Sequence, residues 1–297
     1  MNKNSVLHAL FRYFGRSSFA VRKCWARVLG WLAARLMRSR AGVVRTNLRL
    51  AFPDIPRQDR EALLRRHFRL LAQSVVDRGL LWFGLKSTII KTTPITGLEH
   101  LDALLSEERR IILLAPHFIG LDAAATRITL FLKETATIYT PQSDAAIDAM
   151  VCAGRSRFNT VHLISRKEGI RGLLRFLRRG VPIYYLPDMD FGRAGATFVP
   201  FFGVPAATLL ATAQIARTWD AAVVPLISRL DEQTGHYHID ILPPLDAFPG
   251  DQSNEEATAR LNQLIEQWIR VDPAQYYWVH RRFKTRPDPN DPKLYEQ

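Results

Sequence analysis

Acidic residues are missing from the first 53 positions: Asp54 is the first, and eleven Lys and Arg precede it. The other 244 residues carry 30 bases against 28 acids, so the net charge of +13 belongs mainly to an N-terminal arm. Cysteine is scarce. Cys24 and Cys152 are too few and too far apart for a disulfide framework or a thiolate metal site, which fits a reducing, cytosol-facing environment. Low-complexity sequence is absent, and 47% hydrophobic residues in 297 suffice for a sizeable core, so wholesale disorder is excluded. Uninterrupted apolar runs are short. Arg27 and Arg35 bracket only seven uncharged residues, against about 20 needed to cross a bilayer. Residues 194–216 carry no charge, but Gly195, Pro200, Gly203 and Pro205 interrupt them, which predicts a loop followed by a buried helix. The arm's arginines run through any leader-like apolar stretch and no clear small-residue cleavage site follows, so it does not read as a secretory signal. No nucleophile elbow, HExxH or GxGxxG is present. Chemistry without a protein nucleophile, metal or dinucleotide remains open.

A basic arm suits an anionic partner, either nucleic acid or a membrane surface. From Ser17 to Arg38 there is no Pro and one Gly, so a helix is expected. At roughly 100° per residue, Val21, Trp25, Val28, Leu29, Leu32 and Leu36 fall in one arc. Lys23, Arg27, Arg35 and Arg38 collect opposite, with Arg22 near the edge. That is the pattern of a helix lying in a lipid interface. An ordinary amphipathic helix packed on the core has the same periodicity. No nucleic-acid fingerprint accompanies the stripe, so nucleic acid is not an expected partner.

Residues 57–85 read as helical. Beyond Arg110, short apolar runs at 111–115, 137–140, 161–164, 181–186 and 221–227 alternate with helical stretches near 120–133, 144–157, 167–179 and 206–219. That alternation implies βαβ units. Residues 236–242 read as a half-exposed later strand, and 253–271 as an amphipathic helix. The expected fold class is α/β, with a mainly parallel central sheet flanked by helices and preceded by N-terminal helices. The expected division is an arm over 1–53 that associates with membranes and an α/β domain over 54–297.

The run Ile111–Ala115 leads into Pro116 and His117, with Asp122 five residues on as a helix begins. Ligands of open α/β sheets bind beyond the carboxyl ends of strands. With His117 in the loop, Asp122 is able to reach back, fix the imidazole tautomer and leave the other ring nitrogen to accept a proton. Alone, such a pair arises often by chance.

Other blocks make the chain resemble a known family, the bacterial lipid A biosynthesis acyltransferases, within the wider glycerolipid acyltransferase superfamily. They are the Asn47-Leu48…Phe52-Pro53 segment, Gly154-Arg-Ser-Arg-Phe-Asn159, Ser165-Arg166-Lys167, Leu186-Pro-Asp-Met-Asp-Phe-Gly192 with Phe198–Phe202, and Tyr276–Pro287. His117 and Asp122 match the superfamily's His-x4-Asp motif. The resemblance runs from about Val44 to Pro287 and implies transfer of a fatty acyl chain from acyl carrier protein. The implied acceptor is the hydroxyl of a 3-hydroxyacyl chain on a lipid A precursor such as Kdo2-lipid IVA. His117 would be general base with Asp122 in support, and acyl carrier protein a cosubstrate with no cofactor or metal needed. Arg155, Arg157, Arg166 and Lys167 become candidates for gripping phosphates or sugar acids. Asp188 and Asp190 would orient those arginines or bind acceptor hydroxyls. His280–Lys284 would face the membrane or head group, or else cap the fold. Phe198, Phe201 and Phe202 would line an acyl channel or belong to the core. The implied location is the cytoplasmic face of the inner membrane. Better-known members usually carry a longer apolar N-terminal anchor, so attachment here is expected to be peripheral or monotopic. A related acyltransferase with another membrane acceptor and a non-enzymatic membrane-binding protein are the alternatives.

Overall fold

In the computed structural model, residues 3–295 are described, with side chains from residue 5 onward. The N-terminal third is helical: α1 (Lys3–Arg16), α2 (Phe19–Leu36), α3 (Arg38–Ala51), α4 (Arg57–Phe83) and α5 (Lys86–Thr92). The 27 residues of α4 extend about 40 Å at 1.5 Å each. On that rod α1 and α2 pack closely because glycines remove side chains at the crossings. Gly79 meets the backbone of Phe11, and Gly30 meets that of Arg69.

The apolar arc of α2 faces outward. Its buried positions are Arg22, Ala26 and Gly30, whereas Trp25, Val28, Leu29 and Leu36 are 44%, 50%, 37% and 76% exposed. Core packing through that arc is therefore not what the helix does. It is held instead by Arg22, whose guanidinium meets the buried Asp77 carboxylate at 2.6 Å. Tyr237 donates to the other oxygen of Asp77 at 2.8 Å. Among the described residues no helix is long and apolar enough to cross a membrane.

After β1 (Ile95–Thr96) and α6 (Leu98–Ser106), strands and helices alternate: β2 (Ile111–Leu114), α7 (Leu121–Ile128), β3 (Glu134–Tyr139), α8 (Ala145–Arg155), β4 (Thr160–Ser165), α9 (Gly169–Arg178) and β5 (Ile183–Tyr185). A hairpin, β6 (Ala196–Phe201) and β7 (Val204–Leu209), leads to α10 (Ala211–Trp219), β8 (Ala222–Leu230), β9 (Tyr237–Ile241) and α11 (Asn254–Val271). The sheet order is β1-β9-β8-β2-β5-β3-β4. Among the described residues, the β8–β9 pair is the one antiparallel pair within this sheet, so the α/β, mainly parallel expectation holds. All four residues of β2 are buried, as a central strand covered on both faces requires.

Residues 194–216 differ from the loop-then-helix expectation, because their first half pairs as the β6–β7 hairpin. A turn at Phe202–Gly203, both at positive φ, lets Pro200 and Pro205 sit opposite each other at its tip. Phe201 and Phe202 are buried in a cluster with Phe52, Tyr276, Trp278 and Phe283.

Candidate active site

β2 and β5 are parallel neighbours, with Leu114 opposite Tyr185. Three residues past each lies a residue preceded by proline: Pro116-His117 after β2, and Pro187-Asp188 after β5. The shared register thus brings His117 and Asp188 together at the carboxyl end of the sheet. His117 Nδ1 lies 2.7 Å from Asp188 Oδ1, and the His117 backbone N–H donates to Oδ2 at 2.8 Å. Asp188 is fully buried, which raises its carboxyl, but the His117 ring charge and the hydrogen bonds from His117 and Tyr276 outweigh burial and hold it below the usual range. With an ionised carboxylate on Nδ1, that nitrogen carries the proton and Nε2 is the basic one.

The loop is clamped from its other side. Tyr277 N–H donates to the His117 carbonyl at 2.9 Å, and Ile119 N–H to the Gln275 carbonyl at 2.7 Å. Tyr277 also lays its ring 6.1 Å from the imidazole.

Asp122 differs from its sequence-based role. It sits in the first turn of α7 and is met by two guanidiniums. Arg78 Nε of α4 lies 2.8 Å from Oδ2, and Arg155 Nη2 of α8 lies 3.0 Å from Oδ1. Burial raises the Asp122 carboxyl, but Arg78 and then Arg155 overcome it and hold the group far below the usual range. The arginines reach one carboxylate because α8 lies tight against α4. At Gly154, one residue before Arg155, a Cβ would fall within the indole of Trp82.

His117, Asp122, Arg78, Arg155 and Tyr277 share the wall of one cavity of about 350 Å³. From that polar end it crosses β5 and β3 to β4, over a distance of about 14 Å for three strand spacings. Leu121, Ala125, Ile128, Ile138, Val161 and Leu163 supply an apolar lining there. Thr126, Thr129, Thr135, Thr137, Thr140 and Gln142 also line it, so one charged end and a mainly apolar remainder edged by hydroxyls suit a ligand with a polar reacting group and a hydrocarbon tail.

The other expected site residues lie elsewhere. Arg157 donates to the carbonyls of Leu81 and Gly84 at 3.2 and 2.6 Å, closing the C-terminal end of α4, where helix carbonyls lack partners. Arg166 and Lys167 are exposed beyond β4, with the Arg166 guanidinium 5.2 Å over the Phe191 ring. Among the described residues Asp190 meets no arginine. Its carboxylate accepts from Gly192 N–H and from Thr285 N–H and Oγ1 at 2.7–2.9 Å. The His280–Lys284 segment is largely internal: Arg282 is 1% exposed and donates to Ala207 O and Thr208 Oγ1, each at 2.7 Å. His280 Nε2 accepts from Asp190 N–H at 2.9 Å. Burial, with the neighbouring His117 and Arg282 charges, pushes its pKa down to about 4. Phe198, Phe201 and Phe202 do not line the cavity. Arg78 was missed in the sequence because nothing distinguishes it from the many arginines of α4.

The family model described as bacterial lipid A biosynthesis acyltransferase matches residues 7–285. The lipid A biosynthesis lauroyltransferase of Escherichia coli strain K12 is 34% identical over 261 residues, covering 88% of this chain and 84% of that protein. A lipid A biosynthesis acyltransferase of Haemophilus influenzae is 34% identical over 271 residues, covering 90% and 85%. The lipid A biosynthesis palmitoleoyltransferase of E. coli strain K12 is 32% identical over 260 residues, covering 87% and 83%. With matches of this extent reaching across the sheet, the cavity and the His117 loop, the chain belongs to the bacterial lipid A biosynthesis acyltransferases.

Proposed function

We propose that the chain moves a fatty acyl group from an acyl carrier protein thioester to the hydroxyl of a 3-hydroxyacyl chain on a lipid A precursor such as Kdo2-lipid IVA. The observation that carries this reading is the His117–Asp188 pair at the polar end of a largely apolar cavity. His117 Nε2 takes the hydroxyl proton as the acceptor oxygen attacks the thioester carbonyl. The tetrahedral intermediate then expels the carrier's thiolate, which recovers the proton from the imidazolium, leaving an ester and a thiol. Asp188 fixes the tautomer and balances the imidazolium charge, and such general-base help is worth about 10²–10⁴ in rate. The apolar lining receives the hydrocarbon tail. Arg155 and Arg78, steadied by Asp122, supply positive charge toward an anionic acceptor.

The outward arc of α2, together with the exposed Arg27 and Arg35 of the same helix, suits attachment to an anionic membrane without spanning it. In this reading the reaction takes place at the cytoplasmic face of the inner membrane.

The test is mass spectrometry of product made by purified full-length chain. Acyl carrier protein and coenzyme A thioesters are offered as donors, and lipid A precursors with and without a free 3-hydroxyl as acceptors. One added acyl group, only with the carrier thioester and only on the free hydroxyl, is the expected result. Product from coenzyme A alone, or on an acceptor lacking that hydroxyl, contradicts it.

A further inference from the structure

Away from the catalytic cavity, α3 and the first turns of α4 enclose a second cavity of about 740 Å³. Five of its lining residues are arginines, Arg38, Arg45, Arg49, Arg57 and Arg60, and among the described residues its only acid is Glu61. Two of the arginines are already engaged. Arg45 Nε and Nη2 lie 2.6 and 3.2 Å from the two oxygens of Glu61, and Arg60 donates to the carbonyls of Phe52, Pro53 and Ile55. Among the described residues, Arg38, Arg49 and Arg57 form no close ion pair, although the Arg57 charge faces Glu61, and all three are exposed. Guanidiniums around one void repel each other, and the single Glu61 carboxylate, bonded to Arg45 and also facing the Arg57 charge, offsets them only in part. A multi-oxygen anion relieves the rest, and phosphate matches the arginine fork.

We infer that this groove binds the phosphate of an anionic membrane lipid and anchors the protein at the bilayer surface. Its position favours a lipid over a soluble anion. The exposed arc of α2 ends at Leu36 and Met37, 76% and 50% exposed, and Arg38, the next residue, opens the groove. Apolar side chains that enter the lipid interface therefore lead directly to cations at head-group depth. Leu294 and Tyr295 add an apolar rim. The groove is also distinct from the acceptor site. Arg60 and Arg78 share a face of α4 but stand five turns apart, about 27 Å along the axis. The lipid bound here is thus an anchor and not the molecule being acylated. The inference rests on the membrane-attachment part of the proposed function.

The test is co-sedimentation of the full chain with phosphatidylglycerol or phosphatidylcholine vesicles containing no acyl donor or acceptor, so that it stands or falls apart from turnover. Arg49→Glu with Arg57→Glu is expected to weaken binding to phosphatidylglycerol by about tenfold or more. Arg49→Lys with Arg57→Lys should keep most of it. Thermal midpoints of both double variants confirm folding, and inorganic phosphate should not displace bound vesicles. Undiminished binding by the glutamate variant overturns the inference. So does saturation of the groove by inorganic phosphate alone. Intact vesicle binding with lost binding to acyl carrier protein would reassign the groove to an acidic protein.

Discussion

The motif spacing pairs His117 with Asp122, but the fold pairs it with Asp188, and the two carboxylates do different work. Asp188 touches the ring and Asp122 touches two arginines. Asp188→Asn offers Nδ1 a neutral partner and loosens the tautomer. Transfer is expected to fall by about 10² or more with little change in stability. Asp122→Asn removes the counter-charge of Arg78 and Arg155 in a mostly buried site, at a cost of roughly 3 kcal/mol. Denaturant midpoints and transfer rates of the two variants, measured side by side, separate the roles. Midpoint losses in the reverse order would contradict the assignment. His117 was legible from sequence because a buried strand, a proline and a lone histidine announce a strand end. The partnership with Asp188 was not, since 71 residues and several crossovers separate the two and only the β2–β5 register unites them.

Among the elements, α2 is the one whose periodicity reads two ways. Its apolar arc was plain in the sequence. Which side of α4 it would meet depended on Gly30, Ala26 and Arg22, which form a flat seam with a single buried charge. Arg22→Met keeps much of the bulk but strands Asp77, 1% exposed, without its cation. The expected loss is about 3–5 kcal/mol, with faster amide exchange over residues 19–36. Unchanged exchange there would show that apolar contacts alone seat the helix. The β6–β7 hairpin escaped detection because its two prolines, with Gly195 just before it and Gly203 in its turn, mimic loop composition. The pairing comes from a tight turn and from Arg282, far along the chain, bonding β7.

Across the whole molecule, two histidines are kept neutral by burial. His67 donates through Nδ1 to the Ala274 carbonyl at 2.9 Å, and burial lowers its pKa to about 4. His280 is lowered to about 4 by burial, His117 and Arg282. The unfolded chain protonates both near pH 6.5 and the folded chain resists until about pH 4. The unfolded state therefore binds more protons between those values, and stability falls as pH drops through that window, by up to about 3 kcal/mol per histidine. Denaturant midpoints from pH 7 to pH 4 should decline accordingly. His67→Asn, which keeps a donor for Ala274, should flatten the decline. An equal slope in that variant would remove His67 from the explanation. The sequence offered no hint of this, because burial of a histidine depends on what the fold lays over it.

The central claim is that one imidazole, positioned by Asp188, takes the acceptor's proton. Its most direct test is the transfer rate of purified His117→Ala with acyl carrier protein thioester and lipid acceptor, alongside the thermal midpoint. A fall of about 10²–10⁴ in rate with an unchanged midpoint is the expected result. Folded His117→Ala protein that transfers at nearly the wild-type rate would contradict the claim.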